Sequence, residues 1–230
     1  MLLTSVGKND SQFSWQPRGN KIAFLSDRNG FSNIWVMNSD GTEKMQLTNS
    51  KEKEMDIKWS PDGTKIAYAS ASVLNTSNIS TLYNVSKSIW VMNSDGSNRK
   101  RLDFSYDRLD AHPTWSSDGK KIIFDSMYKR ESSHKIILMD VNGTNKTVLA
   151  EGWWPQWSPK GDKIAFISSE GEKSTISLII LDEELRSAPS KNVEYISDIS
   201  QESVKNTPGF GAALTVLILL SRKSLRKKSK

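Results

Sequence analysis

A chain of 230 residues with 36% hydrophobic and 9% aromatic content can bury one large all-β domain or two small ones, and it is too rich in core-forming residues for wholesale disorder. Cysteine is absent, which excludes disulfides, thiolate metal sites and a cysteine nucleophile. The net charge of +6 resides in Arg222, Lys223, Arg226, Lys227, Lys228 and Lys230; the remainder carries 26 basic and 26 acidic residues, so no basic face for nucleic acid is indicated.

Leu3-Thr4 lies twelve residues before Trp15, as Leu47-Thr48 lies twelve before Trp59, so the chain begins inside a repeat, at its last strand. Four segments then align without gaps: Trp-Gln-Pro-Arg-Gly-Asn-Lys-Ile-Ala-Phe (residues 15–24), Trp-Ser-Pro-Asp-Gly-Thr-Lys-Ile-Ala-Tyr (59–68), Trp-Ser-Ser-Asp-Gly-Lys-Lys-Ile-Ile-Phe (115–124) and Trp-Ser-Pro-Lys-Gly-Asp-Lys-Ile-Ala-Phe (157–166). A second block, Ile-Trp-Val-Met-Asn-Ser-Asp-Gly, follows at 34–41 and 89–96, with Ile-Ile-Leu-Met-Asp-Val-Asn-Gly at 136–143. In the fourth copy it shrinks to Leu-Ile-Ile-Leu-Asp at 178–182, without the glycine.

Each block has a physical reading. Ser60-Pro61-Asp62-Gly63 is a tight reversal, in which proline presets φ and glycine supplies the positive φ that follows. The run from Lys65 to Tyr68 reads as a strand, and the run from Ile89 to Met92, apolar without alternation, as a strand covered on both faces. A further turn at Asn93-Ser-Asp-Gly96 leads to a weaker strand ending in Leu102. The repeat is therefore about 45 residues long and holds four antiparallel strands. Such sheets with two apolar faces must stack on copies of themselves, which is the propeller architecture; a β-sandwich also uses short strands but lacks the internal repeat.

These phrases, followed by a Leu-Thr such as Leu47-Thr48, resemble the TolB-type (WD-like) propeller repeat over roughly residues 1–185. The resemblance implies an all-β fold of about four blades. The ring is either closed by the N-terminal strand, which would complete the last blade, or is part of a larger ring. The domains expected are propeller repeats at 1–186, a polar linker at 187–207 and a C-terminal segment at 208–230.

An eleven-residue insertion in the second copy, between Ser70 and Ser88, reads as a loop. It carries Asn-x-Ser/Thr triplets at Asn75, Asn78 and Asn84; others stand at Asn9, Asn142 and Asn145. They are glycosylation acceptors in an exported protein, or chance in a chain rich in Asn and Ser.

Beyond the repeats, Thr207-Pro208-Gly209-Phe210 opens an apolar run to Leu220, followed by the basic cluster. A short hydrophobic helix within 208–225 is expected; eleven residues of helix span about 16 Å, roughly half a hydrocarbon core. The order of parts resembles the archaeal PGF-CTERM sorting signal, with Pro208, Gly209 and Phe210 as its recognition core. That resemblance implies export, processing and attachment to the outer face of the membrane. An amphipathic or buried segment is the alternative.

No nucleophile elbow, phosphate loop or cofactor fingerprint is present. His112 stands in the run-in to a Trp strand, where a structural role is expected; His134 is expected on the surface. Trp35, Trp90, Trp115 and the tryptophans of 153–157 are expected to pack between blades. No catalytic, cofactor-binding or metal-binding residue is assigned. The expected function is a non-catalytic surface module that binds an envelope protein or a glycan. The alternative is the propeller domain of a larger hydrolase of prolyl-oligopeptidase type.

Overall fold

A computed structural model describes residues 2–4, 9–73, 85–103, 105, 107–129, 133–181 and 215–218. Every regular element among them is a strand. Blade one comprises β1 (Asp10–Trp15), β2 (Lys21–Ser26), β3 (Asn33–Asn38) and β4 (Met45–Gln46). Blade two comprises β5 (Lys53–Trp59), β6 (Lys65–Val73), β7 (Val85–Asn93) and β8 (Lys100–Arg101). Blade three holds β9 (Arg108–Trp115), β10 (Lys121–Tyr128), β11 (His134–Asp140) and β12 (Thr147–Glu151), and blade four β13 (Trp153–Trp157), β14 (Lys163–Glu170), β15 (Lys173–Ile180) and β16 (Thr215–Ile218). Each blade is an antiparallel meander in chain order through its third strand. Blades two and three are also joined by a parallel pairing of Lys87 with Leu109.

The predicted turns form as the sequence dictates. The Gly63 N–H bonds the Ser60 carbonyl at 2.9 Å with φ +70° at the glycine. Asp62 accepts the Thr64 N–H at 3.0 Å, and the Ser60 hydroxyl bonds the same carboxylate. That hydroxyl and the Thr64 N–H hold Asp62 below the usual carboxylate range. Its role is to brace the hairpin.

The core lies between blades. Ala23, Leu25, Ile34 and Val36 on the trailing face of blade one meet Trp59, Ile66, Tyr68 and Met92 on the leading face of blade two. Blade two in turn offers Ala67, Ala69, Ile89 and Val91 to Trp115, Ile122, Phe124 and Met139. Small and branched residues thus face large ones, so the layers interdigitate, and each fully buried large side chain contributes about 1.5–3 kcal/mol.

Polar contacts repeat with the same period. The Trp59 indole N–H bonds the Ser14 carbonyl at 3.0 Å, and the Trp115 indole bonds the Lys58 carbonyl at 3.1 Å, in each case the residue before the preceding blade's Trp. The third joint departs from this: Trp157 Nε1 is buried without a partner. Leu47 and Leu102 press on Gly96 and Gly143 of the next blade, as Leu3 presses on Gly41.

Leu3 lies against Gly41 of blade one, as Leu47 and Leu102 lie against the glycines of the blades that follow them, and the described partner of β15 is β16. Two expectations need correction. Thr215–Ile218, expected within a helix, is a strand parallel to β15, with Ser177 opposite Thr215 and Ile180 opposite Ile218. An apolar run without a polar face serves a strand as well as a helix, and Thr, Val and Ile favour the pleated form at an open sheet edge. The rest of 208–225 lies outside the described residues. The insertion is not all loop: β6 and β7 extend into it, pairing Ser72 with Ser86 and Val73 with Val85.

Glycine substitutions separate backbone strain from joint packing. Gly19 and Gly143 both have positive φ, but a Cβ at Gly19 meets nothing, whereas one at Gly143 would lie 2.5 Å from the Leu102 carbonyl oxygen. Gly19→Ala is expected to cost about 1 kcal/mol and Gly143→Ala about 3 kcal/mol or more. Urea unfolding midpoints check this; equal losses would contradict a tight joint at Gly143.

Candidate functional site

The first strand of each blade lies at the inner side, and β1, β5, β9 and β13 contact one another in sequence. Each has a bulge that breaks its register with the second strand. The residue three before the blade's Trp takes positive φ there: Gln12 (36°), Asp56 (56°), His112 (52°) and Trp154 (54°). A bulge turns its side chain out of the ladder. Here that sends four unlike residues along the inner rim.

They are linked blade to blade. Gln12 Oε1 accepts the Asp56 backbone N–H at 2.6 Å, and Asp56 Oδ2 accepts the His112 backbone N–H at 3.2 Å. At the next joint His112 Nε2 accepts the Trp154 indole N–H. An indole can only donate, so Nε2 carries the lone pair and Nδ1 the proton. That proton goes to Asp125 Oδ1 at 2.7 Å. The same oxygen accepts the Trp154 backbone N–H at 3.2 Å, and Oδ2 lies 3.3 Å from His134 Nδ1. Burial pushes the Asp125 carboxyl up, but the hydrogen bonds from His112 and His134 outweigh it and leave its pKa below the ordinary value. Both histidines of the chain therefore converge on one buried carboxylate. His134, expected on the surface, keeps 35% of its side chain exposed. Trp154, expected between blades, stands on the rim at 52% exposure.

Two residues before the bulge in blades one to three lies a second periodic feature, an acid opposite a serine: Asp10 with Ser26, Glu54 with Ser70 and Asp110 with Ser126. Each acid has an arginine. Arg28 bonds Asp10 at 2.9 and 3.2 Å, Arg99 lies 3.5 Å from Glu54, and Arg108 lies 3.9 Å from Asp110 while bonding Asp103. The balance differs among them. Burial pushes Glu54 up to about 7, against hydrogen bonds from Ser50 and Ser70 and the Arg99 charge. Burial likewise pushes Asp110 up to about 6, against Ser126 and Arg108. For Asp10, Ser26 and the close Arg28 outweigh burial, and its pKa is lowered. A perturbed carboxylate in a cleft suggests catalysis. The acid–serine pairing recurs in three successive blades, so these acids are part of the repeat.

Between the rim and Glu54 opens a pocket of about 320 Å³ lined by Gln12, Lys53, Glu54, Asp56, Lys87 and His112, among others. It faces the inner strands of blades one to three. Among the described residues no group of three or more His, Asp or Glu is placed to hold a metal ion.

Of the predicted acceptor asparagines, Asn9, Asn142 and Asn145 are described. Asn9 is exposed and bonds Asp27 at 2.8 Å, Asn142 is exposed and caps its turn through Thr144, and Asn145 donates to Asp140 at 2.6 Å. Asn75, Asn78, Asn84 and the Pro208, Gly209, Phe210 motif lie outside the described residues.

The acids set the pH dependence of stability. Glu54 and Asp110 bind protons more tightly folded than unfolded, so stability falls as pH rises from about 4.5 to 7. Asp10 and Asp125 act oppositely: their contribution is present above the ordinary carboxylate pKa and is lost as pH falls below it. Stability is expected to peak near pH 4.5, between these two effects. Glu54→Gln is expected to flatten the decline above pH 5 and to raise stability at pH 8 by about 2 kcal/mol, read from Tm against pH. An unchanged profile would contradict the burial of a charged Glu54.

No family model matches the chain, and no curated protein matches it in sequence. Solved structures do resemble it. TolB from Acinetobacter baumannii superposes with a TM-score of 0.58 at 23% identity, over 78% of this chain and 43% of that one. The putative TolB from Agrobacterium tumefaciens gives 0.57 at 23% identity, over 79% and 62%. The acylaminoacyl peptidase from Pyrococcus horikoshii gives 0.55 at 16%, over 73% and 30%. The chain spans about half the length of these TolB structures. At these identities the likeness is one of fold, and the fold is that of TolB-like β-propeller blades.

Proposed function

We propose that the chain is a non-catalytic binding module of the cell envelope, which engages an envelope protein or a glycan at the inner rim. One observation carries this reading: His112 is engaged through both ring nitrogens, and Gln12 and Asp56 each hold the backbone of the next blade. A general base needs a lone pair directed at substrate. The His112 Nε2 lone pair is taken by the Trp154 indole, and its Nδ1 proton by Asp125. The Asp56 carboxylate holds the next blade's backbone. Such a rim is rigid and polar, suited to recognition. The pocket beside it, about 320 Å³, is at the small end for ligand sites. It suits one side chain or one sugar ring of a larger partner, with Lys53 and Lys87 offering donors to carbonyl, carboxylate or hydroxyl groups.

In this reading the segment around Pro208, Gly209 and Phe210 serves export and anchoring. The polar linker before it and the basic cluster behind it support that role, since cytoplasmic anionic lipid attracts such clusters. A second reading, the propeller domain of a larger peptidase, rests on the superposition with acylaminoacyl peptidase. Peptidase activity of the native protein, abolished by a serine-directed inhibitor, would decide for it.

The binding reading is tested by co-sedimentation with an isolated cell-envelope preparation. Charge reversal by Lys53→Glu with Lys87→Glu is expected to weaken retention at least tenfold while the circular dichroism stays that of the parent. Undiminished retention would overturn the assignment of the pocket.

A further inference from the structure

The pocket at the inner rim is lined by residues of blades one to three alone, and it holds polar groups of both signs that the inter-blade bonds leave over. Lys53 pairs with Ala71, and Ala71 with Lys87, so the two lysines stand on one face of blade two with only a methyl group between them. Two strand spacings put their backbones about 10 Å apart. Neither ammonium group enters an ion pair among the described residues. Gln12 Oε1 and Asp56 Oδ2 are taken by backbone N–H groups. That leaves Gln12 Nε2 as a donor and Asp56 Oδ1 as an acceptor without a partner among the described residues. Glu54 lines the same pocket, is fully buried, and has an Oε2 with no hydrogen-bond partner. A buried oxygen left so is costly until something supplies a donor.

We infer that the occupant of this pocket is one neutral, hydroxyl-bearing sugar ring of a glycan, an inference that rests on the reading of the rim pocket as a binding site. The mixture of groups selects it. An anion would meet Lys53 and Lys87 but stand against Asp56 and Glu54. A cation would meet the acids but stand against two lysines. A hydroxyl both donates and accepts, so neighbouring hydroxyls of one ring satisfy both kinds of group at once. Lys53 and Lys87 reach opposite edges of such a ring and donate to its oxygens, as Gln12 Nε2 does. Asp56 Oδ1 and Glu54 Oε2 accept from its hydroxyls. Leu25, Met55 and Ala111 add apolar wall for the C–H face of the ring. The size agrees, since about 320 Å³ holds one ring rather than a run of them.

The test uses the full chain and an isolated cell-envelope preparation, and reads the part of the retention that Lys53→Glu with Lys87→Glu removes. Periodate treatment of the envelope, which cleaves the vicinal diols of sugar rings, is expected to abolish that part. Raising the salt from about 0.1 M to about 1 M is expected to change it less than twofold, because bonds to neutral hydroxyls are not screened as ion pairs are. Lys53→Met with Lys87→Met, at an exposed and a half-buried position, is expected to weaken it about tenfold with the Tm of the parent. Retention that survives periodate but is lost after protease treatment of the envelope would overturn the sugar in favour of a polypeptide, and leave the pocket as the binding site. A tenfold loss in high salt would overturn it in favour of a charged ligand. Retention of the Lys53→Glu, Lys87→Glu variant equal to the parent's would overturn the sugar together with the pocket.

Discussion

Each blade has two apolar faces and so needs two neighbours. Phe124 and Ile122 face one neighbour while Ile123 faces the other, and all three are fully buried. The hydrophobic term therefore acts between blades rather than within them, and no blade is stable alone. Directional contacts then fix how one blade sits on the next: a tryptophan N–H on a carbonyl, a leucine against a glycine and, on the inner side, a bulge residue on its neighbour's backbone.

Much of this was legible in the sequence because it is periodic. Trp59, Gly63 and Tyr68 recur with the same offsets in other copies, and each residue type has one physical use there. The rim was not legible, because Gln12, Asp56, His112 and Trp154 share no chemistry; what they share is a backbone angle imposed by the bulge. The buried acids sit between these extremes. Asp10, Glu54 and Asp110 stand five residues before their Trp, and extending the repeat alignment backwards would have exposed them. Asp125 left a plainer signal, a charged residue in an apolar strand where the other copies have Leu25, Ala69 and Ile167. The tail misled because a run such as Thr215–Ile218 lacks the periodicity that would tell helix from strand.

In the proposed binding reading, the side chains spent on inter-blade bonds serve recognition through their fixed positions. Asp125 shows this in one residue: it ties His112, His134 and the Trp154 backbone together across the joint of blades three and four. The Glu54 carboxyl shows the opposing cost, since one of its oxygens is buried without a partner. A scaffold that tolerates this gains a stiff inner rim at some expense in stability near neutral pH.

The central claim is that the inner strands are clasped blade to blade through the bulge residues. Native-state hydrogen exchange of the Asp56 and His112 amides tests it most directly, because both lie at bulges outside the strand ladder. The account predicts slow exchange of both in the parent protein. Gln12→Ala should speed exchange at Asp56 alone, and Asp56→Ala should speed it at His112, each by about tenfold or more for the loss of one hydrogen bond. Rapid exchange of both amides in the parent, or no response to either substitution, would contradict the clasp.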